Sequence, residues 1–296
     1  MERSRLDHLA HVLELTRTKL NLTQPERVAE LITTGDATQV IADHGDYLPF
    51  PSETNSFEQC RADIADWDRR GFNIASILEP DYPHLLREVH ESPALIYWTG
   101  DNKPNDIGIS IVGSRHPTDA QARAAYDVAR QLSEHGITVV SGLAQGIDAA
   151  AHSGALEVGG RTVAVMGTGL AHTYPKAHQE LRKTIETHGG QIITQFEPDT
   201  PGAPFRFPMR NAVMSGFSVA TLVMAATEKS GTRHQAKAAV GHGHPVIFPA
   251  GIAKTISWAK EMVDRGEAEV ATSAHEAVHI ALACIQRRRD SLSLFA

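Results

Sequence analysis

Two neighbouring stretches decide the fold: I-G-I-S-I-V-G-S-R-H-P at residues 107–117 and I-T-V-V-S-G-L-A-Q-G-I-D at residues 137–148. Each joins a short apolar, β-branched run to a turn of small residues, and an amphipathic helical segment between them completes a β-α-β unit. Because the carboxyl ends of parallel strands meet at one sheet edge, we expect the turn Gly113-Ser114-Arg115 to lie beside Ser141-Gly142.

These two turns are predicted to bind phosphate. Small residues leave backbone N–H groups accessible, and Arg115 adds a permanent positive charge next to them. A single glycine-rich turn is usually no more than a tight turn. Two such turns on neighbouring strands, together with an arginine, favour a ligand site.

Composition and charge indicate a globular protein with an uneven charge distribution. Of the 296 residues, 42% are hydrophobic and 21% are charged, and the net charge is −7. Residues 1–106 hold 10 basic and 19 acidic residues, whereas residues 107–252 hold 12 basic and 10 acidic ones. The acidity therefore belongs to the N-terminal third, and a basic site in the central part is compatible with the overall charge.

The sequence carries no pattern for export or for a bilayer. No apolar run approaches the roughly 20 residues that span a membrane, and the N-terminus lacks a signal-peptide core. Cys60 and Cys284 stand alone, so neither a disulfide framework nor a metal pair is expected. We expect a cytoplasmic protein with no membrane contact.

Four segments are predicted along the chain. Residues 1–72 should form a small helical domain, with a capping box at Thr23-Gln-Pro-Glu26, and residues 73–106 an extended, proline-punctuated connector leading into the sheet. Strands and helices alternate through residues 107–284, which predicts an α/β fold with a doubly wound, mainly parallel sheet. Residues 285–296 are expected to be a mobile tail.

Several motifs, in this order, resemble the DNA-processing protein A family, known as DprA or Smf. They are I-L-E-P-D-Y-P at 77–83, S-I-V-G-S-R at 110–115, T-V-V-S-G-L-A-Q-G-I-D-A-A-A-H at 138–152, F-P-M-R-N at 207–211 and E-K-S-G-T at 228–232. The resemblance implies an extended Rossmann-like fold preceded by a helical domain. It also implies a homodimer that binds single-stranded DNA, protects it and helps to load the recombinase RecA in transformation (competence) or DNA recombination.

The resemblance also implies which residues contact nucleic acid or phosphate. They are Gly113, Ser114, Arg115, Ser141, Gly142, Arg206, Phe207, Arg210, Asn211, Ser230, Gly231 and Thr232. Phe207 would stack on a base and Arg210 would hold the DNA backbone, although a core aromatic is an equally good interpretation of Phe207. Two positions depart from the family pattern. Arg206 stands near the usual lysine before F-P, and Ala212 replaces a basic residue, so DNA affinity could be reduced.

The sequence argues against two enzyme hypotheses, a nucleotide hydrolase and a zinc protease. A sister family of nucleotide phosphoribohydrolases carries a catalytic carboxylate where this chain has Gln235, and an amide cannot act as a general base. The H-E-x-x-H pattern at His275–His279 resembles a zinc-protease helix, but Ser273 and Glu276 fit a helix capping box instead. The sequence predicts a protein that is not an enzyme, without cofactor, metal or catalytic residues. A nucleotide sensor that does not hydrolyse its ligand is the alternative.

The last residues suggest a further partner. The stretch S-L-S-L-F at 291–295 resembles the short peptide with which bacterial proteins bind the replication sliding clamp. Leu292, Leu294 and Phe295 would enter an apolar pocket of the clamp. Folding back of the same side chains onto their own core is the alternative.

Overall fold

A nine-stranded sheet organises the chain in the computed structural model, which describes residues 1–45 and 56–293. Its strand order is β1-β2-β6-β5-β4-β3-β7-β8-β9. The strands are β1 (Asn73–Ser76), β2 (Leu95–Gly100), β3 (Gly108–Val112), β4 (Thr138–Ser141), β5 (Thr162–Val165), β6 (Gln191–Thr194), β7 (Ser218–Val223), β8 (Val246–Pro249) and β9 (Ala268–Ala271). Helices cover both faces of this sheet, so the predicted α/β class is confirmed.

The parallel part of the sheet creates a crevice. Strand β3 pairs in parallel with β4 on one side and with β7 on the other. The chain therefore winds outward in both directions from β3, and the carboxyl ends of these three strands open at one edge. Ligands of doubly wound sheets bind at this type of switch point.

The expected connector at residues 73–106 is instead part of the sheet. Strand β1 pairs antiparallel with β2, and β2 pairs antiparallel with β6, where Tyr97 lies opposite Thr194. Proline residues punctuate the sequence between the two strands and hide the hairpin-like pairing from a pattern search. The segment thus extends the core and does not merely lead into it.

Helices precede the sheet, and those in the described part of the chain are α1 (Arg3–Arg17), α2 (Gln24–Thr34), α3 (Ala37–His44) and α4 (Ser56–Arg69). The capping box at Thr23 and Glu26 is present at the start of α2. Trp67 of α4 packs edge-on against Tyr97 of β2, with ring centroids 5.6 Å apart. One hydrophobic core consequently runs from these helices into the sheet.

The later helices alternate with the strands and then close the sheet. They are α5 (His84–Arg87), α6 (Asp119–Glu134), α7 (Ile147–Glu157), α8 (Gln179–Thr187), α9 (Arg206–Gly216), α10 (Thr232–Gly241), α11 (Ala250–Thr255), α12 (Ser257–Asp264) and α13 (Ala274–Ser293). A short 3-10 turn, Lys176–His178, precedes α8.

The C-terminal segment, which the sequence predicts to be a mobile tail, is helical as far as Ser293. Helix α13 continues through the three arginines at 287–289 and ends only at Ser293. Arg287 and Arg288 bond to Glu269 and Glu88, which ties this part of the helix to the rest of the molecule. Leu294 and Phe295 of the clamp-like motif lie outside the described residues. Among the helices that the structure describes, none combines the length and apolar character needed to cross a bilayer.

Candidate functional site

A cavity of about 320 Å³ lies at the switch point of the sheet. It is lined by the turn after β3, by Ala144 and Asp148 after β4, by one face of α9 and by the start of α10. Nine of the twelve predicted site residues line it: Gly113, Ser114, Arg115, Phe207, Arg210, Asn211, Ser230, Gly231 and Thr232. Ser141, Gly142 and Arg206 do not line it. We call this cavity the switch-point pocket.

The turn after β3 forms one wall. A Cβ atom on Gly113 would lie 2.5 Å from the Cγ1 atom of Ile147, so only glycine lets α7 approach so closely. The backbone N–H of Ser114 donates to the carbonyl of Ala225 at 3.1 Å, which joins this turn to the end of β7. Arg115 is exposed and forms no ion pair with any described residue. Its guanidinium is therefore available to an anionic ligand.

Ser141 and Gly142 were expected to face the pocket, but both have structural roles instead. Ser141 is fully buried, and its hydroxyl donates to the Ile111 carbonyl at 2.7 Å, which cross-links β4 to β3. A Cβ atom on Gly142 would lie 1.4 Å from the Nη1 atom of Arg210. Gly142 thus provides the space into which the Arg210 side chain fits.

Arg210 lies on the floor of the pocket beside an acid. Its Nη1 atom is 3.9 Å from the Asp148 carboxylate, and the two side chains are only 6% and 7% exposed. Asp148 also accepts hydrogen bonds from the backbone N–H groups of Gly142 and Ala144, at 3.2 and 3.3 Å. The sequence motif predicts an Arg210 that holds a DNA backbone at the surface. In the structure it is a buried group that shapes the pocket.

Burial dominates the ionisation of this pair. It raises the pKa of Asp148, although Arg210 and the two N–H donors act in the opposite direction. Burial also lowers the pKa of Arg210, since the attraction of Asp148 does not offset the loss of hydration. The Nε atom of Arg210 is buried and has no hydrogen-bond partner among the described residues. Arg210 and Asp148 thus form a buried pair of ionisable groups, in which the Nε–H group of Arg210 is still free to donate a hydrogen bond.

Phe207 forms the rim of the pocket. Helix α9 begins at Arg206 and carries F-P-M-R-N in its first two turns. The half-buried Phe207 ring lies 5.5 Å from the Tyr174 ring, and the Arg115 guanidinium lies 5.4 Å from its centroid. Gly167 leaves room for this ring, since a Cβ there would lie 2.7 Å from it. The rim therefore pairs an aromatic ring with a cation.

Arg206 points away from the switch-point pocket. Its guanidinium bonds to the Pro201 carbonyl and lies 5.0 Å from the Phe205 ring centroid. The charge expected to replace the family's lysine therefore faces a different cavity. Ala212 is half-buried and supplies no charge. Arg115 is consequently the principal exposed cation among the residues that line the pocket.

The third wall is the start of α10. The hydroxyls of Ser230 and Thr232 are hydrogen-bonded to each other, and the first N–H groups of the helix follow them. Gln235, one turn further on, is 1% exposed and lines the pocket. Neither its amide oxygen nor its amide nitrogen has a partner among the described residues. A buried amide left unpaired is costly, so Gln235 offers both a hydrogen-bond donor and an acceptor to the interior of the pocket.

Sequence reasoning missed two pocket residues. It treats Gln235 only as the replacement of a catalytic acid, and it does not single out Asp148. An acidic residue in the first turn of the helix after a glycine-rich loop was the available signal for Asp148. No local signal marks the contact of Asp148 with Arg210, because the two residues meet only in the folded chain.

Glu276, the acid of the H-E-x-x-H pattern, has a structural role at the start of α13. Glu276 accepts from the Thr272 backbone N–H at 2.6 Å, and Ser273 accepts from the Glu276 backbone N–H at 3.1 Å. The expected capping box is therefore only half formed, because Glu276 reaches Thr272 and not Ser273. Within residues 1–45 and 56–293, no group of three or more potential ligands could hold a metal ion.

Comparison with known proteins connects this geometry to a family. A family model described as DNA recombination-mediator protein A matches residues 73–281. Protein Smf of Synechocystis is 41% identical over 164 residues, which cover 54% of this chain and 41% of that protein. The DNA processing protein DprA of Bacillus subtilis is 31% identical over 192 residues, 64% of each chain. The chain thus spans about two fifths of the length of the first relative and slightly less than two thirds of the second.

A solved structure supports the same assignment. The X-ray structure of DprA from Streptococcus pneumoniae matches with a TM-score of 0.72 and 27% identity, over 91% of this chain and 97% of that one. A DprA structure from Helicobacter pylori matches with a TM-score of 0.63 and 22% identity, over 72% and 96% of the two chains. The family model covers most of the chain, including every wall of the switch-point pocket, and the chain therefore belongs to the DNA recombination-mediator protein A family.

Proposed function

We propose that this chain binds single-stranded DNA at the switch-point pocket and transfers it to a RecA-type recombinase during DNA recombination or transformation. The observation that carries the proposal is the rim of the pocket, where the exposed Arg115 guanidinium lies 5.4 Å from the centroid of the Phe207 ring. A cation beside an aromatic ring is the combination that holds a phosphate and stacks a base without reading its sequence.

The walls of the pocket supply further anion-binding groups. Residues 230–232, at the N-terminus of α10, line the pocket, and the dipole of this helix favours a negative charge there. Ser114 and Thr232 add hydroxyl groups. A single-stranded DNA binding mode is known for the DprA of Helicobacter pylori, whose fold this chain shares, and it supports the same ligand class here.

We propose a binding protein and not an enzyme. Gln235 stands where the related hydrolases carry their catalytic carboxylate, and Asp148 is engaged by Arg210 and two backbone N–H groups. Neither side chain is suited to activate a water molecule. The proposed setting is the cytoplasm, where DNA recombination takes place.

A nucleotide sensor is the second candidate, and Gln235 is the observation that favours it. A deeply buried, unpaired amide can form hydrogen bonds with the edge of a single base held inside the pocket, whereas a strand that crosses the pocket rim would not reach it. Filter binding of labelled oligonucleotides and calorimetry with mononucleotides separate the two functions. Tight binding of a mononucleotide, with no binding of oligonucleotides, would select the sensor.

Arg115→Ala is expected to weaken single-stranded DNA binding without unfolding the protein. The side chain is exposed, so its removal disturbs little packing, and the loss of one phosphate contact should lower the salt slope by about 0.7. Filter binding at several salt concentrations measures both the affinity and the slope. Arg123→Ala, which removes an exposed arginine of α6 outside the pocket, is the matched control and should bind like the wild type.

The expected preference is for single strands over a blunt duplex, with weak dependence on sequence, since stacking and phosphate contacts read no base edges. Equal affinity for a duplex at the same salt concentration would contradict the proposal. An unchanged affinity and slope in folded Arg115→Ala would remove Arg115 from the site.

Three protein partners complete the proposal. We propose a homodimer, which light scattering at micromolar concentration tests, and contact with RecA, which a RecA filament-assembly assay on DNA coated with this protein tests. Sliding-clamp binding through Leu292, Leu294 and Phe295 stays a prediction from the sequence. It requires the clamp to bind the full chain but not a chain that ends at Asp290.

A further inference from the structure

A second cavity of about 560 Å³ lies on the other side of the start of α9. The C-terminal end of α1 and the start of α2 form one wall, and residues 93–97 and 195–200 form the other. Arg206 and Met209 of α9 complete it. The cavity therefore joins the N-terminal helices to the helix that carries Phe207 and Arg210. We call it the interhelical cavity.

Basic residues dominate the charge of this cavity. Its described lining contains four cations and one acid, within a part of the chain that is otherwise strongly acidic. Arg17 is neutralised by Glu197 and Asp63, to which it bonds at 2.6 and 2.7 Å. Lys19 is exposed, and its side chain has no hydrogen-bond or ion-pair partner among the described residues.

Arg27 keeps its positive charge in the same cavity. Its guanidinium donates to the backbone carbonyls of Leu15 and Thr18, at 2.9 and 2.7 Å, at the end of α1. Carbonyl groups hold an arginine in place without neutralising it. Lys19, Arg27 and Arg206 thus remain as uncompensated cations around one cavity, which is the electrostatic pattern of a phosphate-binding groove.

An aromatic ring lies beside Arg206, and an unpaired amide lines the cavity. Phe205 is 63% exposed, and it immediately precedes α9. The Arg206 guanidinium lies 5.0 Å from the centroid of this ring, and the exposed ring offers a face on which a base can stack. The amide nitrogen of Gln195, which lines the cavity, is buried and has no partner among the described residues. This nitrogen can therefore donate a hydrogen bond to a ligand in the cavity.

The two cavities are neighbours across one helix. Arg206 and Met209 lie three residues apart on the face toward the interhelical cavity, and Phe207 and Arg210 lie on the face toward the switch-point pocket. An α-helix is about 10 Å across, so a strand of a few nucleotides can reach both. Phe205 immediately precedes both pairs of residues, at the start of the helix.

We propose that the interhelical cavity is a second subsite for single-stranded DNA. A strand bound at Arg115 crosses the start of α9, stacks one base on Phe205 and places its next phosphates near Lys19 and Arg27. The N-terminal helices then take part directly in DNA binding. This inference rests on the proposed function of the switch-point pocket, and it assigns the neighbouring cavity to the same ligand.

The test compares Lys19→Ala and Phe205→Ala with the wild type, using an oligonucleotide of about 15 nucleotides, long enough to cover both cavities. Lys19→Ala is expected to lower the salt slope by about 0.7, since one phosphate contact is lost. Phe205→Ala is expected to weaken binding about tenfold or more, since one stacked base is lost. Phe205→Tyr keeps a ring and should restore the affinity.

Lys260→Ala, an exposed lysine of α12 outside both cavities, is the matched control and should bind like the wild type. Both test side chains are exposed, so unfolding is not expected, and thermal melting verifies this. Wild-type affinity and slope in both variants, while Arg115→Ala binds weakly, would overturn the second subsite alone. If the wild type binds no oligonucleotide, the proposed function itself fails.

Discussion

Arg210→Met is expected to lower the free energy of unfolding by about 3–5 kcal/mol and to weaken DNA binding, because the pocket floor loses its guanidinium. The substitution keeps much of the side-chain volume but leaves the Asp148 carboxylate buried, 7% exposed, without its cation. The backbone N–H groups of Gly142 and Ala144 bond to Asp148 at 3.2 and 3.3 Å and offset only part of that loss. Denaturant titration measures the change in stability.

A second substitution separates stability from function. Asp148→Asn in the Arg210→Met background removes the unpaired charge and keeps an oxygen that accepts from the two N–H groups. The double variant should therefore recover a large part of the lost stability. DNA binding should stay weak, because the pocket floor no longer carries a guanidinium. A double variant as unstable as Arg210→Met would show that Arg210 stabilises the fold through packing and not through Asp148.

The fold was predictable because its signals are local. Apolar runs such as the one from Ile107 to Val112, each followed by a small-residue turn, mark the parallel strands directly. Strands β1 and β2 were missed because prolines lie between them and because β2 pairs antiparallel with β6, far along the chain. The end of α13 was missed because three successive arginines obscure the apolar face of a helix whose cations bond to distant acids.

The site was predictable only in part, because some of its residues act through partners that are distant in sequence. Glycine-rich turns and an exposed arginine point to an anion, and both Gly113 and Arg115 line the pocket. Gly142 belongs to the second glycine-rich turn. It is required because a side chain there would occupy the space of the Arg210 guanidinium, which comes from α9. Ser141 looks like a ligand in the sequence and is a strand cross-link in the structure. Only the folded chain distinguishes such roles.

His152, in α7 behind the pocket, makes the fold sensitive to acid. Its Nδ1 atom lies 2.7 Å from the Thr162 hydroxyl, which donates its own proton to the Val139 carbonyl. Thr162 must therefore accept, and Nδ1 carries the proton of a neutral ring. The Nε2 atom is buried without a partner among the described residues, so a second proton there would be a buried, unpaired charge.

This burial lowers the pKa of His152 from 6.5 to about 3. Between about pH 6.5 and pH 3 the unfolded chain binds this proton and the folded chain does not. The free energy of unfolding therefore falls as the pH decreases through that window. At pH 4.5 the loss attributable to His152 should be about 2–3 kcal/mol relative to pH 7. Burial also lowers the pKa of His244 to about 4, which adds a further loss in the same direction.

His152→Leu is expected to remove the His152 share of this acid sensitivity. Leucine cannot be protonated, and Thr162 keeps its hydrogen bond to Val139, so the variant needs no new partner. Denaturant titration of wild type and variant at pH 7 and pH 4.5 should show a stability loss that is about 2–3 kcal/mol smaller in the variant. His90→Leu, at an exposed histidine, should retain the full wild-type loss. An equal loss in wild type and His152→Leu would mean that the ring is already protonated in the folded protein at pH 4.5, with its charge paired.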